Sequence, residues 1–128
     1  MRCTTRLFSL LLVVAGSGLI AIVPDALSQT TPQATQEIQA LLDFVERSEC
    51  QFVRNGLEYP ASRARAHLQQ KLEYLEGKNR VSTAEDFIDL AATESSLSGR
   101  AYEVRCQESL EPASTWLKRE LQRQRQLH

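Results

Sequence analysis

The strongest constraint on the fold lies in the first 28 residues, which read as a segment the working protein does not keep. Arg2 and Arg6 give a short basic start, and residues 7–23 form an almost unbroken apolar run. Pro24 breaks the run, and Ala26 and Ser28 put small residues where a signal peptidase reads them. The reading is a secretory signal peptide with cleavage expected after Ser28, hence a periplasmic or secreted product. A transmembrane anchor is the weaker reading. The run is 17 residues long and holds Gly16, Ser17 and Gly18, at the lower limit of the roughly 17–25 residues a spanning helix needs. No stable membrane anchor is expected after cleavage.

What remains is 128 − 28 = 100 residues, enough for one domain spanning residues 29–128. A chain of that size buries about 60–65% of its unfolded surface. Arg2, Arg6 and Asp25 leave with the signal, so 15 − 2 basic residues face 16 − 1 acidic ones, a net charge of −2. That excludes a general nucleic-acid binder, which would be strongly basic.

Cys3 also leaves, and Cys50 and Cys106 remain as an even pair for an oxidising compartment. The pair reads as one disulfide closing a loop of 57 residues counted inclusively, worth about 4 kcal/mol on the chain-entropy model. The alternatives are a redox pair or half a metal site. No Cys-x-x-Cys spacing exists, and only His67 and His128 could join them. No metal and no cofactor is expected.

Along the mature chain, Thr35 is read as the N-cap of a first helix with Ile38, Leu41, Leu42, Val45 and Phe52 at helical spacing. Asn55-Gly56 either ends that helix through a left-handed residue or turns a hairpin between residues 52–54 and 57–59. The long upstream period favours the helix end. Pro60 opens a second helix with Ala61, Ala64, Leu68, Leu72 and Leu75 inward, and Gly77 ends it. Ser82-Thr83-Ala84-Glu85 is a capping box before Phe87, Ile88 and Ala91. Residues 93–99 read as a loop, and Tyr102, Val104 and Cys106 alternate with charged residues as in a short strand. Pro112 leads into a last helix carrying Trp116, Leu117 and Leu121. No internal repeat is evident. The expected fold is mainly α: a small bundle of three to four helices with one disulfide and at most one short strand.

A set of short segments then stands out in order. These are Cys50-Gln51-Phe52-Val53-Arg54-Asn55-Gly56, Tyr59, Ala66-His67-Leu68, Lys71, Phe87-Ile88, Ser95-Ser96-Leu97-Ser98-Gly99, Tyr102, Cys106 and Trp116-Leu117. The set resembles the YfeK-like family, small exported bacterial proteins grouped as a domain of unknown function, over residues 46–121. Arg63 stands where an acidic residue is expected in such proteins. The resemblance implies export and a Cys50–Cys106 pair. It implies no activity and no catalytic residues.

Four places could carry chemistry. His67 shares a helix row with Lys71 and Tyr74. A hydrolase would have to bring it to a serine among Ser95, Ser96 and Ser98 and to Asp86 or Asp89. No nucleophile elbow supports that, and the plainer reading is a boundary histidine bonded to a nearby oxygen. Arg54 could bond the last carbonyls of a helix, or Glu46 or Glu49, or clamp a ligand if a concavity adjoins it. Ser98, Gly99 and Tyr102 form Ser-Gly-x-x-Tyr, which resembles the inhibitory loop of exported bacterial lysozyme inhibitors, with Arg100 adding charge. Those inhibitors are β-rich, and the plainer reading is a glycine turn with Tyr102 packed near the disulfide. Residues 116–128 are basic and read as a solvated helix end rather than a membrane-surface helix.

No catalytic residue is expected. The leading reading is a binding or interaction module of the cell envelope, not an enzyme, with an apolar groove beside Arg54, Tyr59 and His67. Its partner is an envelope protein or a small ligand. The alternative is an inhibitor of a lysozyme-like hydrolase acting through Ser98, Arg100 and Tyr102.

Overall fold

The computed structural model describes residue 13, residues 15–20 and residues 29–128. Apart from those at 13 and 15–20, the residues read as a signal peptide lie outside the described residues. Among the described residues no helix is long and apolar enough to cross a membrane.

The chain runs α1 (Pro32–Arg47), β1 (Gln51–Arg54), β2 (Leu57–Pro60), α2 (Ala61–Gly77), α3 (Ala84–Ala91), β3 (Glu103–Cys106), β4 (Ser109–Pro112) and α4 (Ala113–Gln126). The strands form one antiparallel sheet in the order β2-β1-β3-β4. This corrects the expectation of a mainly α bundle: the fold is α+β, with four helices and four strands among the described residues.

The first helix explains the difference. Thr31, not Thr35, caps α1, its Oγ1 accepting from the Ala34 amide at 3.1 Å. Ile38, Leu41, Leu42 and Val45 fill its buried stripe as read. The helix stops at Arg47, because Ser48 Oγ bonds the Val45 carbonyl at 2.7 Å and Glu49 turns to a left-handed φ of 55°. Phe52 is buried from a strand, where its spacing from Val45 has no meaning. Asn55 and Gly56, at φ 52° and 78°, make the hairpin turn, so the hairpin alternative holds and the helix end does not.

β3 and β4 join through Gln107 and Glu108, with Gln107 at φ 56°. This turn carries no glycine or asparagine to announce it. In the second half, α3 is capped one residue later than read. Thr83 Oγ1 accepts from the Asp86 amide, and Asp86 Oδ2 accepts from the Thr83 amide, each at 3.1 Å.

One face of the sheet is covered. Phe52 and Val104 lie opposite each other on β1 and β3, buried in one core with Leu41, Leu42, Phe87, Ile88 and Leu117. Alternate residues such as Gln51, Glu58 and Leu110 are exposed. Cys50 and Cys106 occupy the next cross-strand position after Gln51 and Arg105, and are disulfide-bonded with Cα atoms 4.6 Å apart. The staple therefore joins the two central strands.

The architecture contains a repeat that the sequence reading lacks. β1-β2-α2 and β3-β4-α4 are equivalent units at a constant shift of 52 residues (112 − 60), from Pro60 to Pro112. Each hairpin delivers Pro-Ala-Ser into its helix, and β1 pairs with β3 antiparallel at the centre.

Candidate functional site

The first ββα unit holds a cleft. Arg54 ends β1, and Tyr59 stands on β2 opposite Phe52. The opening turns of α2 bring Arg63, Ala64 and His67 past the hairpin. Tyr102, just before β3, closes one side. Between them lies a cavity of about 280 Å³ with an apolar floor that includes Phe52, Leu68 and Leu117. The volume is near the lower limit of the roughly 300–1,000 Å³ usual for small-molecule sites. In the second unit the place of Ala64 is taken by Trp116, whose ring packs 4.5 Å from that of Phe44 and 5.6 Å from that of Phe52. The alanine leaves open what the tryptophan fills.

Hydrogen bonds order the polar wall. Arg54 Nη1 lies 3.3 Å from His67 Nδ1, and His67 Nε2 lies 3.1 Å from the Tyr102 phenolic oxygen. Arginine can only donate, so Nδ1 accepts and the imidazole is neutral, with its proton on Nε2 donated to Tyr102. Lys71 Nζ donates to the same phenolic oxygen at 3.4 Å and to the Glu94 carbonyl at 3.1 Å. Tyr102 thus accepts twice, and among the described residues its own hydroxyl proton has no acceptor.

The electrostatics follow. Burial, then the charges of Arg54 and Lys71, hold His67 below the usual histidine pKa. Burial and then the Arg54 charge lower Lys71, partly offset by Glu94. Burial raises Tyr102, against the Arg54 charge. The guanidinium carbons of Arg63 and Arg54 stand 5.3 Å and 5.9 Å from the Tyr59 ring centre.

The sequence candidates separate into two groups. Arg54, Tyr59, His67 and Tyr102 come together at the cleft. Arg54 neither caps a helix nor meets Glu46, which Arg65 holds at 2.9 Å. Ser98 instead bonds the hairpin, its Oγ donating to Asn55 Oδ1 at 2.5 Å, and Arg100 lies exposed over the Gly56 turn. Tyr102, 8% exposed, packs edge-on against His67 with ring centres 5.9 Å apart.

Among the described residues no serine is bonded to His67, whose two ring nitrogens are engaged by Arg54 and Tyr102. Asp86 serves the α3 cap and Asp89 pairs with Lys118. The Ser-His-Asp arrangement of a hydrolase is therefore not assembled. Among the described residues no three His, Cys, Asp or Glu side chains gather as a metal site.

Sequence reasoning missed Arg63 as a site residue and left Lys71 out of the candidates. Both were within reach of a spacing argument, since Arg63, His67 and Lys71 recur every fourth residue on one face of α2.

The family model described as a family of unknown function, DUF5329, matches residues 32–125, which take in every helix and strand up to the last turn of α4. The chain belongs to this family. It is also 34% identical over 92 residues to the uncharacterised protein YfeK of Salmonella typhimurium, covering 71% of this chain and 74% of that one. The YfeK-like resemblance read from the sequence is thereby shown. No solved structure matches the chain.

Proposed function

We propose that this member of the DUF5329 family is an exported small-molecule binding module of the cell envelope, with the cleft between the β1–β2 hairpin and α2 as its site. The observation that carries the reading is the cleft itself. It combines an apolar floor, an aromatic side wall and donors from two elements, the usual composition of a small-ligand site. The apolar run at 7–23 supports export, and a disulfide between the central strands suits an oxidising compartment.

The test uses the second unit as its guide. Ala64→Trp places in the cleft the residue that α4 carries at the equivalent position. Ligand-observed NMR with a panel of small aromatic compounds is expected to find binders of the wild type that the variant no longer holds, at a retained melting temperature. Binders unaffected by Ala64→Trp would contradict the reading.

The inhibitor alternative has one feature in its favour. Bonds between Ser95 and Arg100 hold a loop whose Leu97 is 92% exposed. Of the side chains first assigned to it, Tyr102 is turned inward, so the alternative rests on Leu97 and Arg100. Leu97→Ala with Arg100→Ala should then abolish inhibition of a lysozyme; no inhibition by the wild type at micromolar concentration removes this alternative.

A further inference from the structure

The cleft holds positive charge and hydrogen-bond donors with nothing to receive them. None of its lining residues carries a carboxylate. Arg65, Arg105, Lys118, Arg119, Arg123 and Arg125 each hold a carboxylate within 4.0 Å, yet Arg54 and Arg63 hold none among the described residues. Arg47, Lys71, Lys78, Arg80 and Arg100 are likewise without an ion pair among the described residues, and what sets Arg54 and Arg63 apart is that they share one apolar-floored cleft whose lining has no carboxylate. The far side of His67 continues the pattern. A second hollow of about 310 Å³ is lined there by Lys71, Tyr74 and Arg80, again without a carboxylate.

The donor inventory points the same way. Arg54 spends one N–H on His67 Nδ1, which takes up that acceptor. Arg63 has no hydrogen bond among the described residues, and its guanidinium lies over the Tyr59 ring. Tyr102 has its hydroxyl proton to give. A cationic, donor-rich wall above an apolar floor complements an oxyanion joined to a flat apolar body.

We infer that the ligand of this cleft is a ring-sized oxyanion, a carboxylate or a phosphate ester, whose charged head meets Arg54, Arg63 and the Tyr102 hydroxyl and whose ring lies on the floor beside Tyr59. The inference rests on the cleft being the binding site and adds the class of ligand. A carboxylate matches the guanidinium fork in two-bond geometry, and so does a phosphate. The cavity of about 280 Å³ limits the body to about one ring. A neutral ligand would leave the two guanidinium charges beside the Tyr59 ring with no counter-charge.

Four probes of one size decide the matter: benzoate, phenyl phosphate, benzamide and benzyl alcohol, titrated by NMR into the whole mature protein. The expected result is that benzoate or phenyl phosphate binds at least tenfold more tightly than benzamide. The preference should shrink with added salt and fall about tenfold in Arg63→Gln, whose side chain is exposed, makes no hydrogen bond or ion pair among the described residues and lies over the Tyr59 ring. The stronger of the two anions identifies carboxylate or phosphate as the head. Benzamide or benzyl alcohol binding in the cleft as tightly as benzoate would overturn the inference while leaving the cleft as a site. No binding by any probe at millimolar concentration would overturn both.

Discussion

At the scale of single residues, the contact between Arg54 and His67 decides which proton the imidazole carries. Protonating Nδ1 would break that bond and set two cations side by side, with Lys71 from the same helix and Tyr102 from the strand side also facing the ring. His67 is accordingly held below its usual pKa, by burial first and by Arg54 and Lys71 after it. The sign of the linkage is set by that direction. Above the unfolded value of about 6.5 both states are neutral, and below it the unfolded chain takes up a proton that the folded chain refuses. Stability assignable to His67 is present above that value and declines as pH falls toward the folded pKa. Urea unfolding of wild type and His67→Gln should therefore differ most near pH 7.5 and converge toward pH 5. A gap that widens with falling pH would show an imidazolium paired in the fold. Tyr102→Phe removes an acceptor from His67 and from Lys71, of which Lys71 keeps the Glu94 carbonyl, and is expected to cost about 1–3 kcal/mol, the usual penalty for a buried donor left unpaired. Equilibrium denaturation measures it.

At the scale of elements, the β1–β2 hairpin carries the site, and its turn depends on Gly56 at φ 78°. A Cβ there would meet Arg100 Nη1 at 3.9 Å, an ordinary contact, so the penalty of Gly56→Ala is conformational rather than steric. It should cost about 1–2 kcal/mol in thermal unfolding and weaken ligand binding with it, because Arg54 and Tyr59 lose their frame. α2, α3, α4 and the strand around Val104 were legible from apolar spacing and from Pro60 and Pro112, while the capping box of α3 falls one residue later than its reading at Ser82. The sheet was not, for a physical reason. Four-residue strands give at most two inward positions, too few for a period of two to stand out. Phe52 also happens to continue the spacing of Ile38, Leu41 and Val45. The Glu49 and Gln107 turns place ordinary residues at positive φ, which no composition rule flags. The repeat is hidden because the two units share Pro-Ala-Ser and little beside it: Ala64 faces Trp116, and His67 faces Arg119 at the same shift. Arg54 and His67 were legible as residue types with chemistry. Their meeting was not, since it requires the hairpin to fold back on α2.

At the scale of the molecule, three devices hold the sheet and helices together. The core around Phe87, Ile88, Leu41 and Leu42 is closed to solvent, and Phe87→Ala is expected to cost about 3–5 kcal/mol. Arg125 joins the end of α4 to Glu37 of α1 and Glu85 of α3 at 2.6 Å and 2.5 Å. The Cys50–Cys106 bond links β1 to β3, and so one ββα unit to the other. Cys50→Ser with Cys106→Ser should lower stability by about 2–5 kcal/mol, read as the shift in urea midpoint. Thiol labelling of the unreduced protein should find neither position free.

The place where a small oxyanion binds decides between the cleft and the rest of the surface. Amide chemical-shift mapping of the isotopically labelled protein during a benzoate titration reads this directly. The predicted result is a set of saturable shifts confined to residues 52–59, residues 63–70 and Tyr102, absent in Ala64→Trp. Shifts gathered on the 95–100 loop or on α4, or shifts that persist unchanged in Ala64→Trp, would contradict it.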